Sequence, residues 1–146
     1  MTTLHGTVVV VGGIGVLLRG KPGSGKSSLA LRLIDGEGFG LGDKPLRAKL
    51  VADDQVELVK TGAGLLARAP AKLAGLLEIR GVGIVSLKYQ AETILKLAVD
   101  LAPAATLPRM PEPHEAQTEL LGVTLKRLML DAADPAATAK IRASLF

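Results

Sequence analysis

The sequence predicts an α/β fold, and three observations support this prediction. A glycine-rich segment, residues 20–27, stands between a short apolar run and a run with helical spacing. Ahead of it, two short apolar runs separated by glycines predict a β-hairpin that leads into the segment. Behind it, further short apolar runs alternate with turns rich in Gly, Asp and Pro. The order strand, glycine loop, helix is the context that a phosphate-binding loop requires.

The glycine-rich segment reads G-x-x-x-x-G-K-S and consists of Gly20, Lys21, Pro22, Gly23, Ser24, Gly25, Lys26 and Ser27. Its glycines let backbone N–H groups turn toward an anion, and the start of the following helix adds a positive dipole end. Lys26 is predicted to reach the β- and γ-phosphates of a nucleotide, and the Ser27 hydroxyl to ligate Mg²⁺. The alternative is a glycine turn that contains Lys-Ser by chance.

Composition limits the function further. The chain has 146 residues, the size of one domain, and 48% of them are apolar. Aromatic residues make up only 2%, which argues against stacking platforms for single-stranded nucleic acid. The net charge of +4 is scattered, and there is no cysteine for disulfides or thiolate metal sites. We find no leader or membrane-spanning pattern, and expect a soluble cytoplasmic protein that does not bind nucleic acid or membranes.

Local patterns predict most elements, and we find no internal boundary, so residues 1–146 are expected to form a single domain. The predicted helix begins at Ser27 and ends near Asp35, and a glycine-rich loop follows. Residues 93–100 suit a strand, although residues 94–99 could also be helical. Asp134 is predicted to cap a short C-terminal helix. The other predicted strands are 7–11, 16–19, 50–52, 56–60, 65–68 and 123–130.

Asp53 and Asp54 close the predicted strand that follows the glycine-rich loop. Loops at the carboxyl ends of neighbouring strands meet at one crevice, so this pair is the natural second half of a nucleotide site. Adjacent strand residues point to opposite faces, so one aspartate is expected to face the metal or acceptor and the other to differ. The alternative is that both residues simply form a turn.

Three further residues are candidates. A histidine near a terminus is usually solvated, but the predicted hairpin could place His5 beside the phosphates. Glu78 and Arg80 interrupt an apolar run. They could share the solvent face of a half-buried strand, or they could belong to the site.

These motifs together resemble the catalytic domain of the HPr kinase/phosphorylase family. The resemblance rests on His5-Gly6, the hairpin, the glycine loop, the segment L-V-A-D-D at 50–54 and the segment L-E-I-R-G-V-G-I at 77–84, and it covers roughly the first two-thirds of the chain. It implies a mixed sheet like that of phosphoenolpyruvate carboxykinase. It also implies ATP- and Mg²⁺-dependent phosphorylation of a serine on the phosphocarrier protein HPr, with phosphorolysis as the reverse reaction, and a homo-oligomer, in the family a hexamer.

Carried over by position, the resemblance implies a role for each candidate. Asp54 is the proton acceptor for kinase work, and His5 is the active-site histidine. Glu78 completes the metal site, Asp53 assists the metal or orients Asp54, and Arg80 has a functional role.

The chain departs from the family pattern in four ways. Ser28 stands where the family's loop usually continues with Glu or Asp, and the segment Gly36–Lys49 is longer. The family's V-R-P-G-R-N segment has no clear counterpart, so kinase activity is the firmer expectation. Because the chain starts almost at His5, it is expected to be a short form without the family's extra N-terminal domain. A generic small-molecule kinase or NTPase, and a nucleotide-sensing interaction module, are the alternative functions.

Overall fold

The computed structural model describes all 146 residues and contains eleven strands and two α-helices. The strands are β1 (Thr2–His5), β2 (Thr7–Val11), β3 (Ile14–Arg19), β4 (Ala48–Ala52), β5 (Gln55–Thr61), β6 (Gly64–Arg68), β7 (Leu76–Ile79), β8 (Gly83–Ser86), β9 (Glu92–Leu101), β10 (Gln117–Leu120) and β11 (Val123–Leu130). The helices are α1 (Lys26–Asp35) and α2 (Ala137–Ala143), and short 3₁₀ turns cover 71–73, 104–106 and 113–116. Neither α-helix has the length and apolar character needed to cross a lipid bilayer.

Nine strands form one mixed sheet, and β7 and β8 form a separate hairpin. The main order is β1-β5-β6-β9-β3-β2-β4, and β11 also pairs with β9 and carries β10. The long strand β9 pairs with β6 through residues 92–94 and with β3 and β11 farther along. The pairings of β9 with β3 and with β11 are parallel, whereas the other pairings are antiparallel.

Strand β2 explains why two distant segments meet. It lies between β3 and β4 and is antiparallel to both, so β3 and β4 run in the same direction. Their carboxyl ends, which lead to Gly20 and to Asp53, therefore lie at one edge of the sheet. The start of β2 lies at that same edge, since Thr7 pairs with Leu18 near the end of β3.

Strict alternation along β2 divides the core between two faces of the sheet. Val9 and Val11 pack on the side of α1, and Val8 and Val10 pack on the opposite side. All four valines are buried, as a central strand covered on both faces requires. The first face also buries Leu29 and Leu33 of α1.

The second helix is joined to the end of the first by a buried arginine. Arg142 of α2 is only 2% exposed. Its guanidinium donates to the carbonyl oxygens of Leu33 and Leu46 at 3.0 Å and of Gly36 at 3.2 Å. The contacts with Leu33 and Gly36 satisfy orphan carbonyls at the C-terminus of α1, where a positive charge is also favoured by the helix dipole, and the contact with Leu46 ties the loop before β4 to the same guanidinium.

The predicted hairpin, the helix α1 and the late strand β11 are confirmed. Three local predictions need correction. His5 does not precede the first strand but ends an additional strand, β1, which pairs with β5. The helical alternative for 94–99 is wrong, because those residues lie within β9. Asp134 does not cap α2, whose N-cap is Ala136; the Asp134 carboxylate instead accepts the Ala136 N–H in the turn before the helix.

Candidate functional site

The loop between β3 and α1 has a backbone that only glycine adopts easily. Gly23 and Gly25 have φ values of 82° and 97°, in the left-handed region. Gly25 is the N-cap residue of α1 and brings no side-chain cap, so the first amides of the helix have no side-chain acceptor. Gly20 packs closely against Ser24, since an added Cβ at Gly20 would lie 2.4 Å from the Ser24 Oγ. The loop is therefore a compact turn that ends in an uncapped helix N-terminus.

Lys26, the first residue of α1, folds back over this loop. Its ammonium Nζ donates to the carbonyl oxygens of Gly20 at 2.9 Å and Lys21 at 3.1 Å. The residue is buried, and desolvation lowers the pKa of Lys26 below its ordinary value, although the nearby charges of Asp53 and Asp54 oppose that shift. Both aspartates are thus close enough to the ammonium to act on it electrostatically.

Asp53 connects Ser27 of the glycine-rich segment with Thr7 of β2 and Glu78 of β7. Its Oδ1 accepts hydrogen bonds from the hydroxyls of Ser27 and Thr7, each at 2.8 Å. Its Oδ2 accepts the backbone N–H of Glu78 at a longer 3.4 Å. Asp53 is 8% exposed, and these donors replace the water that a buried carboxylate loses.

Asp54 differs from Asp53 in its exposure and its partner, and its backbone conformation is unusual. Its side chain is 65% exposed, and its Oδ1 lies 3.1 Å from the Nδ1 of His5. Its φ of 69° is in the left-handed region, which an aspartate tolerates better than most residues. The two aspartates differ in exposure and in partners, although both line the cavity described below, and strand alternation does not produce this difference, because β4 ends at Ala52.

The β7–β8 hairpin brings two further predicted residues to the same place. Glu78 and Arg80 are both exposed, the first in β7 and the second in the turn that follows. It is the backbone of Glu78, and not its carboxylate, that contacts Asp53. Leu77, the residue before Glu78 in β7, is fully buried.

These elements surround a cavity of about 530 Å³. Its lining includes the predicted residues His5, Pro22, Gly23, Gly25, Lys26, Ser27, Asp53, Asp54, Glu78 and Arg80. It also includes four residues that the sequence did not single out for the site, namely Thr7, Ser28, Leu31 and Ile79. Gly20, Lys21 and Ser24 belong to the loop but are not among the lining residues. No cluster of three or more His, Cys, Asp or Glu side chains has the arrangement of a metal cage.

A charged network that sequence reasoning missed lies directly before the loop. Arg19, the last residue of β3, donates to both carboxylate oxygens of Asp100 at 2.8 and 3.0 Å. Arg127 of β11 donates to the same carboxylate at 2.5 Å. The network joins the carboxyl-terminal ends of β3 and β9 to the middle of β11, and so fixes the strand from which the loop departs. In the sequence these three residues appear only as single charges in separate apolar runs, so no local pattern predicts that they meet.

Comparison with known proteins gives consistent results. The family model described as "HPr Serine kinase C-terminal domain" matches residues 1–141. The HPr kinase/phosphorylase of Bordetella pertussis is 37% identical over 143 residues, covering 90% of this chain and 43% of that protein. The protein of the same name from Mycoplasma genitalium is 36% identical over 124 residues, covering 84% of this chain and 37% of that protein. The chain thus spans less than half the length of these relatives.

A solved structure supports the fold. The structure of the Hpr(Ser) kinase/phosphatase from Coxiella burnetii superposes with a TM-score of 0.78 at 22% identity, covering 99% of this chain and 88% of that one. At this identity the likeness concerns the fold alone, and it confirms the expected α/β class with a mixed sheet. With the family model matched over residues 1–141, the chain belongs to the HPr serine kinase C-terminal domain family.

Proposed function

We propose that this domain is a protein-serine kinase that transfers the γ-phosphoryl group of ATP, with Mg²⁺, to a serine of an HPr-like phosphocarrier protein. The observation that carries the proposal is the shared cavity, onto which Lys26, Ser27, Asp53 and Asp54 all open. A phosphate-binding loop and a candidate base are then available to one substrate. The names of the relatives supply the substrate class.

The residues present fit a triphosphate. Ser24 has a buried hydroxyl oxygen that finds no hydrogen-bond partner within the protein. Unpaired buried polar atoms are rare, and here the atom lies in the loop that leads to the uncapped start of α1. A phosphate bound in the cavity would supply acceptors for the first amides of α1. Lys26 would then exchange its bonds with loop carbonyls for a bond with a phosphate oxygen.

The residues also fit a magnesium ion. Mg²⁺ is usually bound through one or two protein oxygens together with water and substrate phosphates, so it needs no cage of carboxylates. Ser27 and Asp53 would hold it, and Glu78 stands in the same cavity wall as a third candidate. When bound, the ion neutralises charge on the transferred phosphoryl group.

Transfer needs a base beside the acceptor. The serine oxygen attacks the γ-phosphorus, the bond from that phosphorus to the β-phosphate oxygen breaks, and the serine proton passes to a carboxylate oxygen of Asp54. Asp54 suits this role because it is exposed to an incoming protein, whereas Asp53 is already committed to three donors. His5 would orient the Asp54 carboxylate, and Arg80, which lines the same cavity, would stabilise negative charge there.

Phosphorolysis of the product would use the same groups in reverse, with Asp54 as proton donor. We assign it second rank, because the family segment linked to it has no evident counterpart here. We extend the proposal to a cytoplasmic location, where a soluble phosphocarrier would be met, and to a homo-oligomer.

Incubation with γ-labelled ATP, Mg²⁺ and purified HPr tests the proposal. We expect label on a carrier serine, and we expect Asp54→Asn to abolish it while leaving nucleotide affinity unchanged. Asp43→Asn, which changes an exposed aspartate outside the cavity lining, is the matched control and should transfer normally.

The alternative functions give different results in the same assay. Release of free labelled phosphate without labelled carrier would indicate a small-molecule kinase or NTPase. Nucleotide binding without any turnover would indicate a sensor. Full transfer by Asp54→Asn would overturn the assignment of the base.

A further inference from the structure

Thr7 is a fully buried residue at the start of β2, and no sequence motif pointed to it. Its hydroxyl donates to the Oδ1 of Asp53 at 2.8 Å, the same oxygen that receives the Ser27 hydroxyl at 2.8 Å. We propose that Thr7 is a positioning residue that holds the Asp53 carboxylate in the rotamer that orients Ser27 toward Mg²⁺. The proposal rests on the proposed function, since it concerns the metal that would accompany the nucleotide.

The strand register explains why Thr7 reaches Asp53. Val8 pairs with Ala52, but the next pair is Val9 with Leu50, so β4 carries one extra residue, Val51, at this point. Such a bulge locally bends a strand and redirects the side chains beyond it. Thr7 comes directly before Val8 and Asp53 comes directly after Ala52, so the two residues stand next to the last pair of the two strands. Thr7 is in addition held by its pairing with Leu18, so its hydroxyl is fixed by the sheet.

The role of this contact depends on which hydroxyl donates and which oxygen accepts. A hydroxyl has one proton to donate and two lone pairs. Ser27 uses its proton on Asp53, which leaves both lone pairs for a cation in the cavity. This holds only while Asp53 keeps Oδ1 turned toward Ser27. Thr7 donates to the same oxygen from the protein side, and so opposes rotation of the carboxylate about its terminal torsion, which is otherwise soft.

A purely structural threonine would behave differently. If the hydroxyl served only to satisfy a buried carboxylate, its removal would lower stability and leave the metal requirement unchanged. If it positions Asp53 for the metal, its removal raises the Mg²⁺ concentration needed for nucleotide binding. Partners that orient metal ligands typically change metal affinity about 10- to 100-fold when they are removed.

The experiment titrates Mg²⁺ against wild type, Thr7→Val and Thr7→Ser in the presence of a fluorescent ADP analogue, and repeats the nucleotide titration in EDTA. We expect the half-saturating Mg²⁺ concentration of Thr7→Val to rise by about tenfold or more. In EDTA, the nucleotide affinity of Thr7→Val should stay within about twofold of that of wild type, which is clearly smaller than the change expected in the Mg²⁺ requirement. Thr7→Ser restores the hydroxyl and should behave like wild type.

Thr93→Val is the matched control, because Thr93 is also a buried threonine but does not line the cavity. Circular dichroism establishes that each variant folds, and Thr7→Cys, which keeps the size with only a weak donor, replaces Thr7→Val should the latter not fold. An unchanged Mg²⁺ requirement in the variant that lacks the hydroxyl overturns the role of Thr7 alone. A wild-type protein that binds no nucleotide at any Mg²⁺ concentration overturns the proposed function as well.

Discussion

The Nδ1 atom of His5 lies 3.1 Å from the Oδ1 atom of Asp54, and both side chains are about half or more exposed at the opening of the cavity. The two residues come from different strand ends, since His5 closes β1 and Asp54 follows β4. Pairing of β1 with β5 brings them together, because His5 lies opposite Gln55, the residue after Asp54. An imidazole is thus attached to the proposed base.

This contact predicts a selective effect of His5→Ala on transfer. Without the imidazole, the exposed Asp54 carboxylate loses its only side-chain partner and samples more orientations. We expect kcat for carrier phosphorylation to fall about 10- to 100-fold, less than the roughly 10²- to 10⁴-fold contribution of an acid–base group, because Asp54 itself remains, and we expect nucleotide affinity to be maintained. His114, the other histidine of the chain, lies in an exposed 3₁₀ turn, and His114→Ala should transfer normally. Equal rates for the two variants would contradict the role of His5.

Burial of Lys26 predicts a pH dependence of stability. Desolvation lowers the pKa of Lys26 in the folded protein, so between that lowered pKa and the ordinary pKa of lysine the native state binds fewer protons than the unfolded chain. Stability contributed by this residue therefore rises with pH across that window, and at neutral pH the buried charge is a cost. Thermal unfolding of wild type and Lys26→Met, each from pH 7 to pH 10, measures the difference.

We expect the melting temperature of wild type to rise relative to that of Lys26→Met as pH increases from 7 to 10, because the buried charge is progressively lost. The same variant should lose nucleotide binding, because the ammonium is the proposed phosphate ligand. Lys44→Met changes an exposed lysine and should alter neither property. A variant clearly less stable than wild type at neutral pH would show that the loop carbonyls need the ammonium more than its desolvation costs.

The close contact between Gly20 and Ser24 predicts that Gly20→Ala disturbs the loop. A Cβ at residue 20 would lie 2.4 Å from the Ser24 Oγ and 3.0 Å from the Ser24 Cβ, so Ser24 must shift within the loop. We expect nucleotide affinity to fall by about tenfold or more, equivalent to about 1.4 kcal/mol. Gly62→Ala is the control, because its added Cβ meets nothing within 4 Å and its φ is not positive. Isothermal titration with Mg²⁺-ATP decides, and unchanged affinity for Gly20→Ala would argue against phosphate binding by this loop.

The buried guanidinium of Arg142 predicts a loss of stability rather than of chemistry. Arg142→Met leaves the carbonyls of Leu33, Gly36 and Leu46 without their donor in a buried position. We expect a cost of about 2–4 kcal/mol, or a melting temperature lower by roughly 5–15 °C. Arg109→Met, at an exposed position, serves as control in the same thermal scan. A melting temperature equal to that of the control would mean that water replaces the guanidinium.

Local patterns were sufficient for the elements on either side of the glycine-rich loop. The β-branched run 7–11, the glycines that follow it and the helical spacing after Ser27 each specify their own conformation. The placement of Asp53 beside the glycine loop also followed, because β3 and β4 end at the same edge.

Long-range pairing determined what the sequence did not reveal. Strand β1 is short and mostly exposed, and only its pairing with β5 makes it a strand. The contact of Thr7 with Asp53 depends on a one-residue register shift between β2 and β4, which no periodicity reports. Asp54 is exposed and has a left-handed backbone conformation, which the sequence Asp-Asp does not predict.

Strand β9 determines how the two halves of the sheet unfold. Its first residues belong to the half of the sheet that contains β6, and its later residues to the half that contains β3. Neither half can detach without breaking the hydrogen bonds of this shared strand, so they are expected to unfold as one cooperative unit. Amide protons at the middle of β9 should then exchange with deuterium last, while exchange at the cavity edge reports only local loop fluctuations. Substrate entry would accordingly proceed without any loosening of the sheet that supports the site.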